Sequence, residues 1–405
     1  MTRPPRIAVV GSGIGGLTLA ASLAESGMPC AVFEQARALT EIGAGVQVAP
    51  NAARHLLGLG LGSELARDAV PVEEMRVHGW TGELIAATPF GVACEKLYLA
   101  PYYAVHRADL QRALLRLVGE RPLRLGHRLR AVSRDGEEQV LTFADGTAHR
   151  ADLVVGADGI HSVVRESLVR DAPVFSGLGV FRGLVPMERL SAAAREPLIR
   201  MWWGPGRHLV CYPVSGGRSM SFAAIAPLAE AGAESWSAPG DPAELVAAFA
   251  GWGGLVPEIT EAAGTVRRWA LYDRPELPTW SSERLTVLGD AAHPMLPFMA
   301  QGANQAVEDA AELASLLAGA ERDDVPEVLT RYEQARAPRT AAIQHGSRGH
   351  ADSMHLPDGE QQRARDRALR QEAGLEGLLR RVWLYGHEAG SAASARARAG
   401  KVGAP

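Results

Sequence analysis

Hydrophobic and polar positions near the start of the chain follow a strand, helix, strand pattern. Ile7 to Val10 is a short apolar run typical of a buried strand, and Leu17 to Leu23 repeats apolar residues at helical spacing. Gly27 is suited to end that helix, and a second apolar run, Cys30 to Phe33, stops at Glu34. The pattern predicts a βαβ unit with parallel strands and a right-handed crossover.

The remaining chain mixes three kinds of pattern. Residues 75–100 and 174–278 hold short runs of alternating apolar and polar residues with GPG and SGG turns, which predict antiparallel strands. Helical spacing recurs at 106–118 and 302–317, and the latter follows a last buried strand at 285–288. From about Val325 the chain is helical and charged, and the Ala-, Gly- and Arg-rich tail after Glu388 is expected to fray.

These patterns together predict an α/β fold. We expect a Rossmann-like dinucleotide-binding domain, an inserted substrate domain built on a mixed or antiparallel sheet, and C-terminal helices. The expected division is residues 1–74, 101–173 and 279–345 for the discontinuous first domain, 75–100 and 174–278 for the substrate domain, and 346–405 for the C-terminal helical segment.

Composition and charge argue against several classes of partner. The formal net charge of the 405 residues is -4, so no basic surface argues for nucleic acid. The three cysteines are widely spaced and form no CxxC pair, which predicts a reducing compartment with neither disulfides nor a metal site. The chain shows no apolar run of membrane-spanning length, and its first apolar run is too short for a signal-peptide core. We expect a cytoplasmic protein; its oligomeric state stays open.

A glycine motif lies at the first strand-to-helix junction. Gly11, Gly13 and Gly16 fit GxGxxG: the first allows the tight turn, the second admits a pyrophosphate, and the third lets helix and strand pack closely. Phosphate charge then meets free N–H groups at the helix start. Glu34 follows 18 residues after Gly16, where a carboxylate can accept both hydroxyls of an adenosine ribose. The motif predicts an ADP-containing cofactor but does not separate NAD from FAD; Ile14 and Gln35 are further candidate contacts.

Two later segments favour FAD. Asp158 and Gly159 end a strand, although an Asp-Gly pair is also common in simple turns. Gly289 and Asp290 end the last strand, where a carboxylate can hold the hydroxyls of a sugar chain. Pro294 and Pro297 stiffen the loop that follows. The helix start at Gly302, Ala303 and Asn304 favours negative charge developing on a ring oxygen or nitrogen.

At this level the chain resembles the single-component FAD-dependent aromatic hydroxylases, and within them a salicylate and 3-hydroxybenzoate hydroxylase-like branch. The motifs that carry the resemblance are GSGIGG with Glu34, VVGADG, LGDAAHPMLPFMAQGANQAVEDA, EIGAGVQVAPNAARHLLGLGL, HRADL, FRGLVP and VWLYGHEA. The resemblance implies noncovalent FAD, NADH or NADPH as reductant, and O2 as co-substrate. It also implies a flavin C4a-hydroperoxide that hydroxylates a small phenolic ring.

The resemblance also assigns roles to individual residues. It implies that Arg107 reaches the ribityl-phosphate region, that Leu129 gives a backbone contact near adenine, and that Asp158 serves both FAD and the pyridine nucleotide. It places Asp290 at the ribityl chain, and it places the segment with Pro297, Gly302, Ala303 and Asn304 around the isoalloxazine ring. Because the chain holds a single GxGxxG, the nicotinamide cofactor has no Rossmann domain of its own and is expected to bind transiently.

Candidates for catalysis lie beside the expected flavin. His208 is a possible base that would turn a phenol into a more nucleophilic phenolate, and Gln301 and Pro297 are candidates next to the ring. Gln47, Trp202 and Cys211 are candidate substrate contacts. Strand alternation places residues 208 and 211 on opposite faces, so one of them points away from the site. A packed histidine remains an alternative for His208, as does a small core residue for Cys211.

Two other functions stay open. A flavin-dependent tailoring oxygenase, acting as hydroxylase or epoxidase on a larger natural product, would share every cofactor motif. A nonenzymatic flavin-binding protein would share the fold but show no substrate-stimulated turnover.

Overall fold

The computed structural model describes residues 3–39, 44–230 and 238–390. The expected frayed tail and part of the glycine-rich 41–50 segment therefore lie outside the described residues. The strands, in chain order, are β1 Ile7–Val10, β2 Cys30–Glu34, β3 Gly45–Val48, β4 Val70–Pro71, β5 Glu74–Gly79, β6 Leu84–Pro89, β7 Tyr103–His106, β8 Leu123–Leu125, β9 Leu129–Asp135, β10 Glu138–Phe143, β11 Ala148–Ala151, β12 Leu153–Gly156, β13 Val174–Pro186, β14 Leu198–Gly204, β15 Arg207–Val214, β16 Ser219–Pro227, β17 Pro239–Gly240, β18 Val266–Asp273, β19 Ser281–Ser282 and β20 Leu285–Val287.

Helices connect and cover these strands. The α-helices are α1 Ile14–Glu25, α2 Pro50–Gly58, α3 Gly62–Asp68, α4 Gly91–Tyr98, α5 Arg107–Val118, α6 Val163–Glu166, α7 Pro242–Ala248, α8 Val256–Ala262, α9 Gly302–Leu317, α10 Val325–Met354, α11 Glu360–Gln371, α12 Leu375–Leu379 and α13 Val382–Tyr385. Short 3-10 turns include Gly289–Ala291 and Pro297–Met299. Among the described residues, none of the helices combines the length and apolar content that crossing a bilayer requires.

A six-stranded sheet in the order β19-β20-β12-β1-β2-β8 forms the centre of the first unit. The pairs from β20 to β8 are parallel, and β19 joins antiparallel at the edge. Strands β1 and β12 are buried along their whole length, as expected for a parallel sheet covered on both faces. Their carboxyl ends share one edge, which is where ligands of such sheets bind.

An eight-stranded sheet in the order β17-β18-β13-β16-β15-β14-β5-β6 forms the second unit. Its pairs are antiparallel except for the parallel pair of β14 with β5. One face packs Trp202 and Cys211 into an apolar cluster with α7 and α8. The other face carries Val180 and Ile225 against Leu296 and Phe298 of the loop before α9. The predicted α/β class with a Rossmann-like sheet, a mixed sheet and C-terminal helices is confirmed.

Two local features bear on the site. Asparagine often caps helices, but α2 begins at Pro50 after Ala49, and the buried Asn51 amide donates to Glu308 and Gln301. Helix α10 runs from Val325 to Met354 without a break and accommodates Pro338 inside it.

Candidate functional site

A cavity of about 330 Å³ lies between the carboxyl edge of the central sheet and one face of the eight-stranded sheet. Expected cofactor contacts that line it are Gly13, Ile14, Arg107, Gly289, Asp290, Pro297, Gly302 and Ala303. Expected catalytic or substrate residues that line it are His208, Gln301 and Gln47. The predicted residues that do not line it are Gly11, Gly16, Glu34, Gln35, Leu129, Asp158, Asn304, Trp202 and Cys211.

The glycine loop has the shape that its motif predicts. Gly11 has φ +103°, and an added Cβ there would lie 2.3 Å from the carbonyl oxygen of Ala157. A Cβ at Gly16 would lie 2.1 Å from the carbonyl oxygen of Gly11, so helix and strand pack through this glycine. Gly13, in contrast, would meet nothing within 4 Å and lines the cavity. The loop therefore leaves open the backbone face that a pyrophosphate needs.

Glu34 lies beside the glycine loop, outside the cavity lining. One carboxylate oxygen accepts from the backbone N–H of Ser12 at 3.0 Å and from its hydroxyl at 2.8 Å, and the other accepts from the Ala36 N–H at 2.8 Å. A carboxylate has further acceptor positions, so these contacts leave capacity for ribose hydroxyls. Gln35 is exposed, and the buried Leu129 packs in the same apolar core as Phe33.

The Asp158 carboxylate binds the start of α6, a role that its motif did not predict. Its carboxylate accepts from the Ser162 hydroxyl and from the N–H groups of Val163, at 2.8 Å, and Val164, at 3.3 Å. Burial raises the pKa of this carboxyl, and the hydrogen bonds oppose that rise. The side chain thus stabilises the start of α6, while the neighbouring residues 157 and 159 line the cavity.

Asp290 carries an unpartnered carboxylate. It is reached by solvent through the cavity, yet it makes no hydrogen bond or ion pair with any described residue. Burial raises its pKa, and the nearby His293 and Arg107 oppose this effect. The strand β20 ends at Val287, and Gly289, with φ +59°, turns the chain so that residue 290 faces the cavity. A carboxylate left without a partner at such a place is suited to accept hydroxyl groups of a ligand.

The Pro297 turn delivers the start of α9 to the cavity. Pro297–Met299 forms one 3-10 turn, Ala300 adopts φ +51°, and α9 then begins at Gly302 without a side-chain cap. The Asn304 side chain fixes this junction: its oxygen accepts from Ala49 N–H at 2.8 Å, and its amide donates to the carbonyls of Gln47 and Ala300. The uncapped N–H groups and the positive end of the helix dipole therefore point towards the cavity.

Gln301 is buried and only half satisfied. Its side-chain oxygen accepts from Asn51 at 3.1 Å and from Gln305 at 3.0 Å. Its side-chain amide nitrogen has no partner among the described residues, although the residue lines the cavity. A donor held in place by its own oxygen and left unpaired is suited to a ligand acceptor.

A buried polar network supports this loop from behind and was missed by the sequence analysis. Arg336 donates to Glu308 at 2.6 Å and to Asp309 at 2.7 Å. Asp309 in turn accepts from the Gly289 N–H at 2.9 Å and from His293 at 2.6 Å. Burial raises the pKa values of both carboxyls, but Arg336 and Arg339 hold that of Glu308 at about 2, and His293 and Arg336 hold that of Asp309 at about 2. We call these residues of α9, α10 and the 289–293 turn the α9–α10 network.

The sheet-side wall of the cavity follows strand alternation. His208, Val210 and Tyr212 of β15 line the cavity, whereas Cys211 faces the opposite apolar cluster with Trp202. Strand alternation predicted that residues 208 and 211 lie on opposite faces of the sheet. Because α7 and α8 pack against the face that carries Cys211, His208 lies on the face that lines the cavity.

His208 forms a histidine pair. Its Nδ1 lies 2.7 Å from Nε2 of His355, the residue that follows α10, and its ring lies edge-on to Phe298 at 5.4 Å. Burial holds the pKa of His208 well below its usual range, with a smaller contribution from His355. The ring is therefore neutral at pH 7 and can accept a proton or a hydrogen bond at its other nitrogen. His355 has no local sequence signal, because the contact spans 147 residues.

The arrangement suits FAD. The open face at Gly13, the unpartnered Asp290 carboxylate, and the uncapped start of α9 match a pyrophosphate, a polyol chain and an anionic ring. Arg107, at the start of α5, lines the same cavity and supplies positive charge. The sheet-side wall is mainly apolar and leaves room for a second, smaller ligand.

Comparisons with known proteins agree with this arrangement. Residues 5–347 match the family described as FAD binding domain. The chain is 46% identical over 386 residues to the 3-amino-4-hydroxybenzoate 2-monooxygenase PtmB3 of Streptomyces platensis, covering 95% of this chain and 96% of that protein. It is 33% identical to 3-hydroxybenzoate 6-hydroxylase 1 of Aquipseudomonas alcaligenes, covering 94% of this chain and 98% of that protein.

Solved structures share the fold over almost the whole chain. Klebsiella pneumoniae HpxO complexed with FAD and uric acid has a TM-score of 0.83 at 27% identity, covering 94% of this chain and 96% of that chain. A salicylate hydroxylase substrate complex has a TM-score of 0.79 at 27% identity, covering 96% of this chain and 97% of that chain. The chain belongs to the FAD-dependent aromatic monooxygenases.

Proposed function

We propose that this monooxygenase hydroxylates a small phenolic acid of the hydroxybenzoate type. The observation that carries the proposal is the shared cavity, in which the expected flavin contacts and a mainly apolar wall with one neutral histidine face each other. The relatives named for 3-amino-4-hydroxybenzoate and 3-hydroxybenzoate support the same class.

We infer that the discontinuous unit of residues 1–74, 101–173 and 279–345 holds FAD. Gly11, Gly13, Ile14 and Gly16 would receive the pyrophosphate, with Glu34, Gln35 and the Leu129 backbone towards the adenosine. Arg107, Gly289 and Asp290 would hold the ribityl-phosphate region. Pro297, Gly302, Ala303 and Asn304 would shape the ring site, and Asp158 would support it through α6. Bound FAD, reduced by NADH or NADPH, supplies the activated oxygen, so that one atom of O2 enters the ring and the other leaves as water.

The protein's own residues would position and deprotonate the substrate. Neutral His208 can accept the phenolic proton at the nitrogen that faces away from His355, which makes the ring a better nucleophile. The unpaired amide of Gln301 can donate to a substrate or flavin oxygen. Gln47 accepts from the Tyr102 hydroxyl at 2.7 Å, which orients its amide at the cavity. Trp202 and Cys211 would act through packing, since they lie on the far face of the sheet.

Two further parts of the proposal concern the reductant and the location. The nicotinamide cofactor would bind transiently at the cavity, because the glycine loop at Gly11 to Gly16 serves FAD. All three cysteines are free, which favours a reducing compartment and therefore the cytoplasm.

The experiment is a screen of hydroxylated benzoates with the purified, FAD-loaded protein. We expect a yellow protein whose NADH or NADPH oxidation accelerates severalfold with one or a few of these acids, and a product 16 mass units heavier in which one hydrogen is replaced by hydroxyl. Oxidation that no ring compound stimulates would contradict the proposal and favour a flavin-binding protein without turnover.

A further inference from the structure

Arg182 is a charged residue of the cavity wall that has no acceptor among the described residues. It lies in β13 and lines the cavity. None of its five N–H donors makes a hydrogen bond or ion pair with a described residue, and its Nε is fully buried without a partner. Its guanidinium lies 5.9 Å from the centre of the Trp269 ring, a contact that supports the side chain but leaves its donors unused.

Other buried arginines of the protein are paired. Arg165 donates to both oxygens of Asp171 and to the carbonyls of Ala291 and Ala292, and Arg336 donates to Glu308 and Asp309. A guanidinium removed from water without an acceptor is costly, so an unpaired one in a cavity indicates an anionic ligand.

The anion is not supplied by the cavity itself. Asp290 is the acidic residue among the described lining residues, and its electrostatic neighbours are His293, Arg107 and Asp309 rather than Arg182. Arg182 is instead close to Tyr212, which contacts Gln47 and Ser221. The guanidinium therefore faces the sheet-side part of the cavity, and Arg107, which also neighbours Asp290, is a second cation close to it.

Strand register places Arg182 at a fixed offset from His208. Arg182 pairs with Ala223 of β16, and His208 pairs with Ile225 of the same strand from the other side. With strands about 4.8 Å apart and two residues of offset, their Cα atoms are roughly 12 Å apart on one face. Both side chains line the cavity from this one face, and the guanidinium lies over Trp269 of β18, on the side of β13 away from β15.

We propose that Arg182 binds a carboxylate on the aromatic substrate, so that the site selects ring acids and turns the ring's hydroxyl towards His208. The inference deepens the proposed function and rests on its substrate class. Guanidinium and carboxylate match in a planar, two-pronged geometry, which fixes orientation as well as charge.

The test compares benzoate with benzamide, which has nearly the same shape and no charge. Their dissociation constants are read from the change in flavin absorbance of the FAD-loaded protein. We expect the wild type to prefer benzoate, and Arg182→Gln to weaken benzoate about 10- to 100-fold while benzamide stays within about twofold. Arg268→Gln is the matched control, because Arg268 lies on neighbouring β18 over the Phe181 ring and pairs with Glu244 outside the cavity. It should change neither probe.

Further readouts separate the alternatives. Because Arg182 is partly buried and its charge has no partner among the described residues, Arg182→Gln and Arg182→Met should fold and melt close to or above the wild-type temperature without FAD. Equal weakening of both probes, loss of FAD, failure of both variants to fold, or a wild type that binds both probes alike would overturn the inference. Benzoate selectivity needs no turnover. A protein that prefers benzoate through Arg182 but oxidises no NADH or NADPH with any phenol would refute the proposed function alone.

Discussion

The α9–α10 network pairs its buried charged side chains within the protein, whereas the cavity wall carries two charged side chains without a partner among the described residues. In the network, Arg336 meets Glu308 and Asp309, and Asp309 also receives Gly289 and His293, so the charges are paired within the protein. In the cavity wall, Arg182 and Asp290 have no partner among the described residues. Charged groups that are paired within the protein hold the folded loops in place. A charged group without a partner loses hydration without gaining a hydrogen bond, and a bound ligand can supply that bond. The contrast therefore separates residues that support the site from residues that would bind a ligand.

Breaking the network should have the largest effect. Arg336→Met removes the cation that Glu308 and Asp309 share; Glu308 keeps Arg339 and Asp309 keeps His293. We expect the free energy of unfolding to fall by about 3 kcal/mol. Urea denaturation with and without FAD measures this loss. Arg331→Met, an exposed position on the same helix, is the control and should stay within about 0.5 kcal/mol of wild type. A similar stability for both variants would contradict the structural role of the network.

His208 tests the cavity side through activity. His208→Gln removes the neutral acceptor, and we expect kcat for the best phenolic substrate to fall about 100-fold, with a stability change much smaller than that of Arg336→Met. Steady-state oxidation and product yield together measure the effect. His78→Gln is the control, because His78 stacks on Trp202 outside the cavity. If kcat keeps its value and its pH profile in His208→Gln, His208 is not the base.

Asp290 is the negatively charged cavity residue without a partner among the described residues, and its role is tested through FAD binding. Asp290→Asn should weaken FAD binding about tenfold, measured by fluorescence titration, because a charged acceptor for the ribityl hydroxyls is lost. Burial raises the pKa of this carboxyl, so in the FAD-free protein its ionisation lowers stability as pH rises above its usual range near 3.8. The variant without FAD should therefore be at least as stable as wild type at pH 7. Unchanged FAD affinity would remove Asp290 from the cofactor site.

The smallest expected effect is on the pH dependence of stability, because the histidine pair and the α9–α10 network titrate in different pH ranges. Burial lowers the pKa of His355 to about 4, so the unfolded chain binds more protons between about pH 6.5 and 4, and stability is lost as pH falls through that window. The carboxyls of Glu308 and Asp309 have pKa values of about 2, so their contribution is lost only at lower pH, from about 4.5 down to 2. In His355→Gln we expect stability to fall less between about pH 6.5 and 4 than in the wild type, and to fall equally between about pH 4.5 and 2. Thermal melting across this pH range measures both. The exposed His345→Gln should match wild type, and an equal slope in both variants would argue against the buried histidine pair.

Local patterns in the sequence predicted the elements well. Apolar spacing and glycines located β1, α1 and β2, and the helix expected at 302–317 is observed as Gly302–Leu317. These features depend on residues close together in the chain. Asn51 and Asp158 show where local rules end: the Asn51 amide donates to a distant Glu308, and the Asp158 carboxylate accepts from the start of α6. Arg336 and His355 could not be found this way, since their partners are set by tertiary packing.

The same limit applies to the cavity wall. Alternation along β15 separated His208 from Cys211, but only the placement of α7 and α8 shows which face is covered. From the sequence alone, Arg182 in FRGLVP fits a structural role as well as it fits pairing with a substrate carboxylate. What identifies it is the absence of an acceptor among the described residues, a property that exists only in three dimensions.

One continuous helix connects these regions. Near its start, α10 carries Arg336; further along, Gln344 donates to the carbonyl of Pro294 and Ser347 to that of Leu296; and the residue after its last turn is His355. At 30 residues it measures about 45 Å. Substitutions along its length could shift the proline loop and the histidine pair together. A laboratory search for altered substrate choice can therefore mutagenise this single rod and leave every lining side chain untouched.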